Sequence, residues 1–227
     1  MASKAETWLK ESLDYEFADA RLLELALTHR SAPGENNERL EFLGDAILDL
    51  VISEGVFRSH PLAAEGDLSR LRASLVNDKS LAEIATRLGL GAHLLMGPGE
   101  SKSGGHRRGS ILADALEAIF GAVYLDSGFD AARQVIERAF GAKLQEFPDL
   151  ESLRDPKTRL QEWMQARQMG LPVYSLVGIE GEAHQQIFEA QCAVGEVLTH
   201  GIATTRRNAE QKAAESMLAQ LQTGSKS

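Results

Sequence analysis

The sequence predicts an all-α domain followed by a smaller α+β domain of order α-β-β-β-α, and three observations carry that prediction. From residue 15 to about 147, apolar residues recur at three- and four-residue spacing between helix caps, with only short breaks. That pattern stops around Phe147-Pro148-Asp149, and from Asp155 strand-like alternation begins, framed by two helices. With 227 residues and 43% hydrophobic content, the chain has apolar material for two cores.

Taken in order, Asp19 caps a helix holding Leu22, Leu23, Leu25, Ala26 and Leu27, and residues 37–48 are helical by period. Asp78 opens a further helix through Ile84 and Leu88, stopped at Gly89. Residues 97–110, with Pro98, Gly99, Gly104, Gly105 and Gly109, read as a loop leading into the most apolar helix of the chain. Residues 149–154 read as a linker between a first domain at 1–148 and a second at 155–222. In the second, Asp155 is an N-cap with proline at the first helical position, opening a helix to about Gln168. Three strand-like runs follow at 173–181, 185–194 and 195–203, the middle one alternating Phe188, Ala190, Cys192 and Val194 with Glu189, Gln191 and Ala193. A last helix from about Thr205 to Gln222 carries a stripe of Ala209, Ala213, Met217 and Leu221, and residues 223–227 are a polar tail.

Composition narrows the function classes. The single cysteine, Cys192, offers neither an intramolecular disulfide nor a thiolate metal cluster, which favours a reducing compartment. The N-terminus has no continuous apolar stretch of signal-peptide type, and no uncharged apolar run approaches the roughly 20 residues that span a bilayer. The expectation is a cytoplasmic protein without a membrane partner. A net charge of -9 counts against nucleic-acid binding, which usually needs a basic face. The excess is uneven, however: residues 1–154 carry 17 Lys+Arg against 25 Asp+Glu, and residues 155–227 carry 7 against 8.

Some of those acids stand where charge is unfavourable. Glu38, Glu41 and Asp45 fall at i, i+3 and i+7, on one face of a helix that is otherwise apolar nearly all round. From Ile111 to Leu125 the only charged residues are Asp114 and Glu117, again three apart. A buried carboxylate without a partner costs several kcal/mol or takes up a proton. Two readings are open on these residues: a solvated acidic face, or acids paired with Arg39 or another base, against a site for a hard cation such as Mg²⁺ or Mn²⁺. A di-iron carboxylate bundle is a rival, but it needs Glu-x-x-His pairs, and no glutamate here has histidine three residues on.

The run Asn37 to Ala46, NERLEFLGDA, resembles the signature of the ribonuclease III family. Ala26-Leu27-Thr28-His29-Arg30-Ser31, the segment from Glu65 through Arg72 to Asn77, Gly99-Glu100 and residues 110–118 are similar to its other motifs, in its order. The resemblance implies the ribonuclease III endonuclease fold and a double-stranded-RNA endoribonuclease with Mg²⁺ as cofactor and Mn²⁺ as substitute. It implies that Glu41, Asp45, Asp114 and Glu117 form the metal cluster, that Asp45 and Glu117 are the most sensitive catalytic positions, and that Glu38 and Glu65 assist at the same cleft. Products would carry 5′-phosphate and 3′-hydroxyl ends with short 3′ overhangs, ribosomal RNA precursors and other structured transcripts would be substrates, and the chain would act as a homodimer. The aliphatic surplus on the signature helix is compatible with a self-complementary interface.

The second domain resembles the double-stranded-RNA-binding domain. By that likeness Gln161 and Glu162 reach 2′-hydroxyls in one minor groove, His184 makes a second minor-groove contact, and Arg206 and Arg207 meet phosphates at a helix start. The basic run is thinned by Asn208 and Glu210, which implies weaker or more salt-sensitive binding. Arg107 and Arg108 stand in the loop before the second acidic helix, either as local positive charge for the chemistry or as surface residues. The alternatives to an active nuclease are an RNA-binding protein that keeps the first domain only for dimerisation or RNA presentation, and a di-metal oxidoreductase.

Overall fold

The computed structural model describes residues 3–144, 147, 150, 154–182 and 185–224. The chain divides into two compact units, Met1–Leu153 and Arg154–Ser227. Most of the expected linker, 149–154, lies outside the described residues.

The first unit is helical. Its elements are α1 (Lys4–Leu13), α2 (Ala20–Leu27), α3 (Glu38–Ser59), α4 (Glu65–Val76), α5 (Asp78–Arg87), the short α6 (Pro98–Lys102), α7 (Gly109–Ser127) and α8 (Phe129–Phe140). The apolar helix α7 runs through the middle, packed by α2, α3, α5 and α8. Ala115, Leu116, Ala118, Ile119, Phe120, Ala122 and Val123 are fully buried there. Burying so many side chains, each worth about 1.5–3 kcal/mol when large, fixes α7 as the platform on which Asp114 and Glu117 stand.

Three differences from the sequence reading have local causes. Helix α1 precedes the region where periodicity is visible; its signal is a capping box, in which the Ser3 hydroxyl accepts from the Glu6 amide at 3.2 Å and the Ser3 amide donates to the Glu6 carboxylate at 2.5 Å. The expected loop at 97–110 contains α6 and a 3₁₀ turn at Gly105–Arg107, because Pro98 at the first position starts a turn that Gly104, at φ 83°, ends. The cap of α5 is Asn77, whose side chain accepts from the Ser80 amide at 3.0 Å, one residue before the expected Asp78.

The second unit has the order α-β-β-β-α: α9 (Pro156–Gln165), β1 (Val173–Glu180), β2 (Ile187–Val194), β3 (Val197–Ala203) and α10 (Arg206–Gly224). The Asp155 side chain caps α9 by accepting from the Lys157 and Thr158 amides. The strands form one antiparallel sheet in chain order, with Tyr174 opposite Cys192 and Cys192 opposite Thr199. Leu160 and Met164 of α9, Cys192 and Val194 of β2, and Ala213, Ala214, Met217 and Leu218 of α10 make the core. A Cβ on Gly201 would stand 2.1 Å from the Ala209 carbonyl oxygen, so α10 lies directly on β3 at that point. Helix α10 runs two residues into the expected polar tail. No helix among the described residues is long and apolar enough to cross a membrane.

Candidate functional site

Helices α3 and α7 meet through glycine. A Cβ on Gly44 would fall 1.8 Å from the carbonyl oxygen of Glu117, and one on Gly121 would fall 2.2 Å from that of Leu40. Ordinary helix pairs are held about 8–10 Å apart by side chains at the contact; here backbone meets backbone. Glu41 and Asp45 flank Gly44, and Glu117 stands one turn before Gly121, so the crossing that joins the helices also joins their acids. Neither glycine stands out in the sequence reading, although an isolated glycine inside an apolar helix is itself a sign of close packing.

One carboxylate oxygen from each of Glu41, Asp114 and Glu117 lies within 4.8 Å of the others. All three side chains are partly buried, while Asp45 is more exposed and raises the Glu117 carboxyl by its charge. Burial pushes Glu117 up to about 8, with Asp45, Glu41 and Asp114 adding repulsion. Burial is also the first cause that raises Glu41, followed by the charges of Asp114, Glu38 and Asp45. It raises Asp114 too, with help from Asp78 and opposition from His29 and Arg30. For Asp45 the causes are burial and then Asp49. Acids raised together in this way favour a bound cation. Its oxygen-only donors suit a hard ion, and ligands at about 2.1 Å from Mg²⁺ lie within about 4.2 Å of each other, so small rotamer changes close the trio on one ion.

Glu117 also ties stability to pH. Its folded value near 8 stands above the unfolded 4.5, so the metal-free folded chain keeps a proton that the unfolded chain gives up. The associated stability is present below about pH 4.5 and is lost as pH rises through about 8. In the presence of chelator, the melting temperature of the wild type is expected to fall relative to that of Glu117→Gln between about pH 5 and pH 8. Differential scanning fluorimetry checks this; a constant difference between the two proteins contradicts it.

The other expected residues are placed variously. Glu38 is beside the trio and pairs with Arg30 at 3.6 Å. Glu65, at the start of α4, accepts from the Ser69 hydroxyl at 2.8 Å and lines a separate pocket with Leu50, Phe57 and Arg72. Glu65 is not among the acids whose oxygens converge with Glu41, and it follows the end of α3 farther from Glu41. Arg108 bonds Glu100 at 2.9 Å, clamping the turn before α7, and Arg107 lines a pocket with Asp78 and Lys79.

A model described as Ribonuclease-III-like matches residues 19–144, more than half of the chain. The chain belongs to the ribonuclease III family. Among relatives of this family member, ribonuclease 3 of Vibrio cholerae is 52% identical over 218 residues, covering 95% of this chain and 97% of that protein. Ribonuclease 3 of Nitrosococcus oceani is 51% identical, covering 94% and 93%. The crystal structure of the nuclease domain of ribonuclease III from Campylobacter jejuni matches with a TM-score of 0.61 at 50% identity, covering 64% of this chain and 100% of that one. A second structure of that domain, reported for structural flexibility in a region involved in dimer formation, matches with a TM-score of 0.56 at 54% identity, covering 59% and 96%.

A double-stranded RNA binding motif matches residues 156–221. On this unit Gln161 and Glu162 are exposed on α9, and Arg206 and Arg207 are exposed at the start of α10. His184 lies outside the described residues. Glu210 holds Arg206 at 2.9 Å and also takes the Lys157 ammonium; the Lys157 bond first, with Arg206 adding to it, keeps the Glu210 carboxyl below the usual range. One carboxylate thus occupies two cations near the helix start. Glu210→Gln is expected to tighten binding of an RNA duplex about two- to fivefold at low salt, the worth of a weak ion pair. Fluorescence anisotropy checks it, and unchanged or weaker binding counts against a role for these cations.

Proposed function

We propose that the chain hydrolyses double-stranded RNA at a Mg²⁺ centre held by Glu41, Asp114 and Glu117 with Asp45 beside them, Mn²⁺ serving as substitute. The observation that carries this reading is the convergence of three carboxylate oxygens within 4.8 Å of one another beside the close crossing of α3 and α7. A hard divalent cation there supplies a nucleophilic water at neutral pH and shields charge on the phosphate oxygens. The chain's own residues hold and orient: Glu41 and Glu117 come from helices locked at Gly44 and Gly121, Asp45 sets the charge around Glu117, and Glu38 stands next to the trio. Hydrolysis breaks the P–O3′ bond and leaves 5′-phosphate and 3′-hydroxyl ends.

The second unit brings the duplex. Gln161, Glu162, His184, Arg206 and Arg207 are its RNA contacts in this reading, and they recognise A-form shape in preference to sequence. A homodimer belongs to the same proposal. Phe42, Leu50 and Phe57 recur along one face of α3 and are 81%, 56% and 68% exposed, an apolar face that a second copy covers by twofold symmetry. Two centres then cut opposite strands and leave short 3′ overhangs, with ribosomal RNA precursors and other structured transcripts of the cytoplasm as the substrates in this reading. In this reading Glu65 assists the two acid helices within that assembly.

Chelation tests the metal assignment: cleavage of an RNA duplex stops, then returns with Mg²⁺ or Mn²⁺, and the products are substrates for an exonuclease that requires a 5′-phosphate. Cleavage that persists in chelator, or products with 5′-hydroxyl ends, contradicts it.

A further inference from the structure

Residues 28–31 begin the connection from α2 to α3 and are held by several hydrogen bonds. The His29 amide donates to the Leu95 carbonyl at 2.8 Å, the Leu95 amide donates to Leu27 at 2.8 Å, and the Asn37 amide donates to Thr28 at 2.9 Å. The Gly97 amide donates to the Ser31 hydroxyl at 3.0 Å, and a Cβ on Gly97 would stand 2.3 Å from the Ser31 carbonyl oxygen. The His29 ring nitrogen Nδ1 is within 2.8 Å of the same hydroxyl. These bonds fix the backbone from which the Arg30 side chain extends.

That side chain is 71% exposed, and its guanidinium lies 3.6 Å from Glu38. Its charge reaches both helices of the acid cluster, acting against the rise of Glu41 on α3 and of Asp114 on α7. An exposed ion pair of this kind contributes little to stability and does not account for a backbone so closely held. A guanidinium presents a planar fork of donors that matches phosphate oxygens as well as carboxylate. Beside a site whose acids are neutralised by a cation, that fork gains an anion as its natural partner.

We infer that Arg30 is a substrate-contacting residue of the cleavage site, parked on Glu38 in the free protein and transferred to a phosphate oxygen of the RNA strand when a duplex enters. The inference rests on the proposed function, deepening it by assigning a phosphate contact to the nuclease unit itself. It differs from the plainer role of holding Glu38 in place, because only a phosphate contact displaces counterions.

The test uses the full-length chain carrying Glu117→Gln, with a perfect RNA duplex, Mg²⁺ and KCl from about 50 to about 200 mM. Adding Arg30→Ala is expected to reduce the slope of log Kd against log salt by about one. Arg30→Lys restores the slope, Glu38→Gln leaves it unchanged, and melting temperatures stay with the parent. In the otherwise wild-type chain, Arg30→Ala is expected to lower kcat/KM about 10- to 100-fold, with Arg30→Gln as a second variant of similar size and no charge. An unchanged slope in Arg30→Ala, or one that Glu38→Gln reduces equally, overturns the inference. A wild-type chain that does not cut the duplex at all overturns the functional reading instead, by a separate observation.

Discussion

Glu117→Gln is expected to slow cleavage of an RNA duplex about 10³-fold or more in Mg²⁺ while duplex binding stays within about twofold. The substitution keeps size and shape but removes one of the three converging carboxylates, at the position where burial and the charges of Asp45, Glu41, Asp114 and Asp78 act together. Binding is spared because the RNA contacts proposed for the second unit are on other residues. Stability is spared as well, since glutamine is neutral, like the protonated Glu117 that burial and the neighbouring acids favour. Asp45→Asn follows the same direction with a smaller loss, its side chain being more exposed and outside the tight trio. Single-turnover cleavage and anisotropy, measured on the same preparations, separate the two effects; a Glu117→Gln protein that cuts at the wild-type rate removes Glu117 from the site.

Gly44→Ala is the second large effect. The added methyl would sit 1.8 Å from the Glu117 carbonyl oxygen, inside backbone that cannot swing aside, so α3 and α7 must separate. Overpacking of this kind costs about 1–3 kcal/mol, and a displacement near 1 Å at a reacting centre costs about 10²-fold in rate. Both losses are expected together, because the acids ride on the helices that move. Gly55→Ala on the same helix is the control. Nothing lies within 4 Å of its Cβ position, so the helix gains the usual advantage of alanine over glycine, about 0.5–1 kcal/mol. Equal behaviour of the two variants in urea unfolding and cleavage would show that the glycine crossing does not set the site.

The sequence makes the acids conspicuous because their spacing is local: Asp114 and Glu117 interrupt an apolar helix, and Glu41 and Asp45 share a face. The α-β-β-β-α order is legible for the same reason, since alternation in β2 and the Asp155-Pro156 start need no tertiary knowledge. What the spacing cannot say is which helices touch. Gly44 and Gly121 are 77 residues apart, and only the folded chain shows that each faces a carbonyl of the other helix. Arg30 is hidden similarly, its meaning coming from Gly97 and Leu95, which lie far along the chain. Glu65 shows the converse: a resemblance groups it with the other acids, while the 22 residues of α3 carry it toward the opposite end of that helix in a single chain.

The most direct test of the account incubates three substrates with the purified full-length chain and Mg²⁺: a long RNA duplex, a single-stranded RNA and a DNA duplex. The expected result is cleavage of the RNA duplex alone, abolished by chelator, to short double-stranded fragments with 5′-phosphate ends. Cleavage of the DNA duplex or the single strand at a comparable rate, or an intact RNA duplex that is bound but never cut, would contradict it.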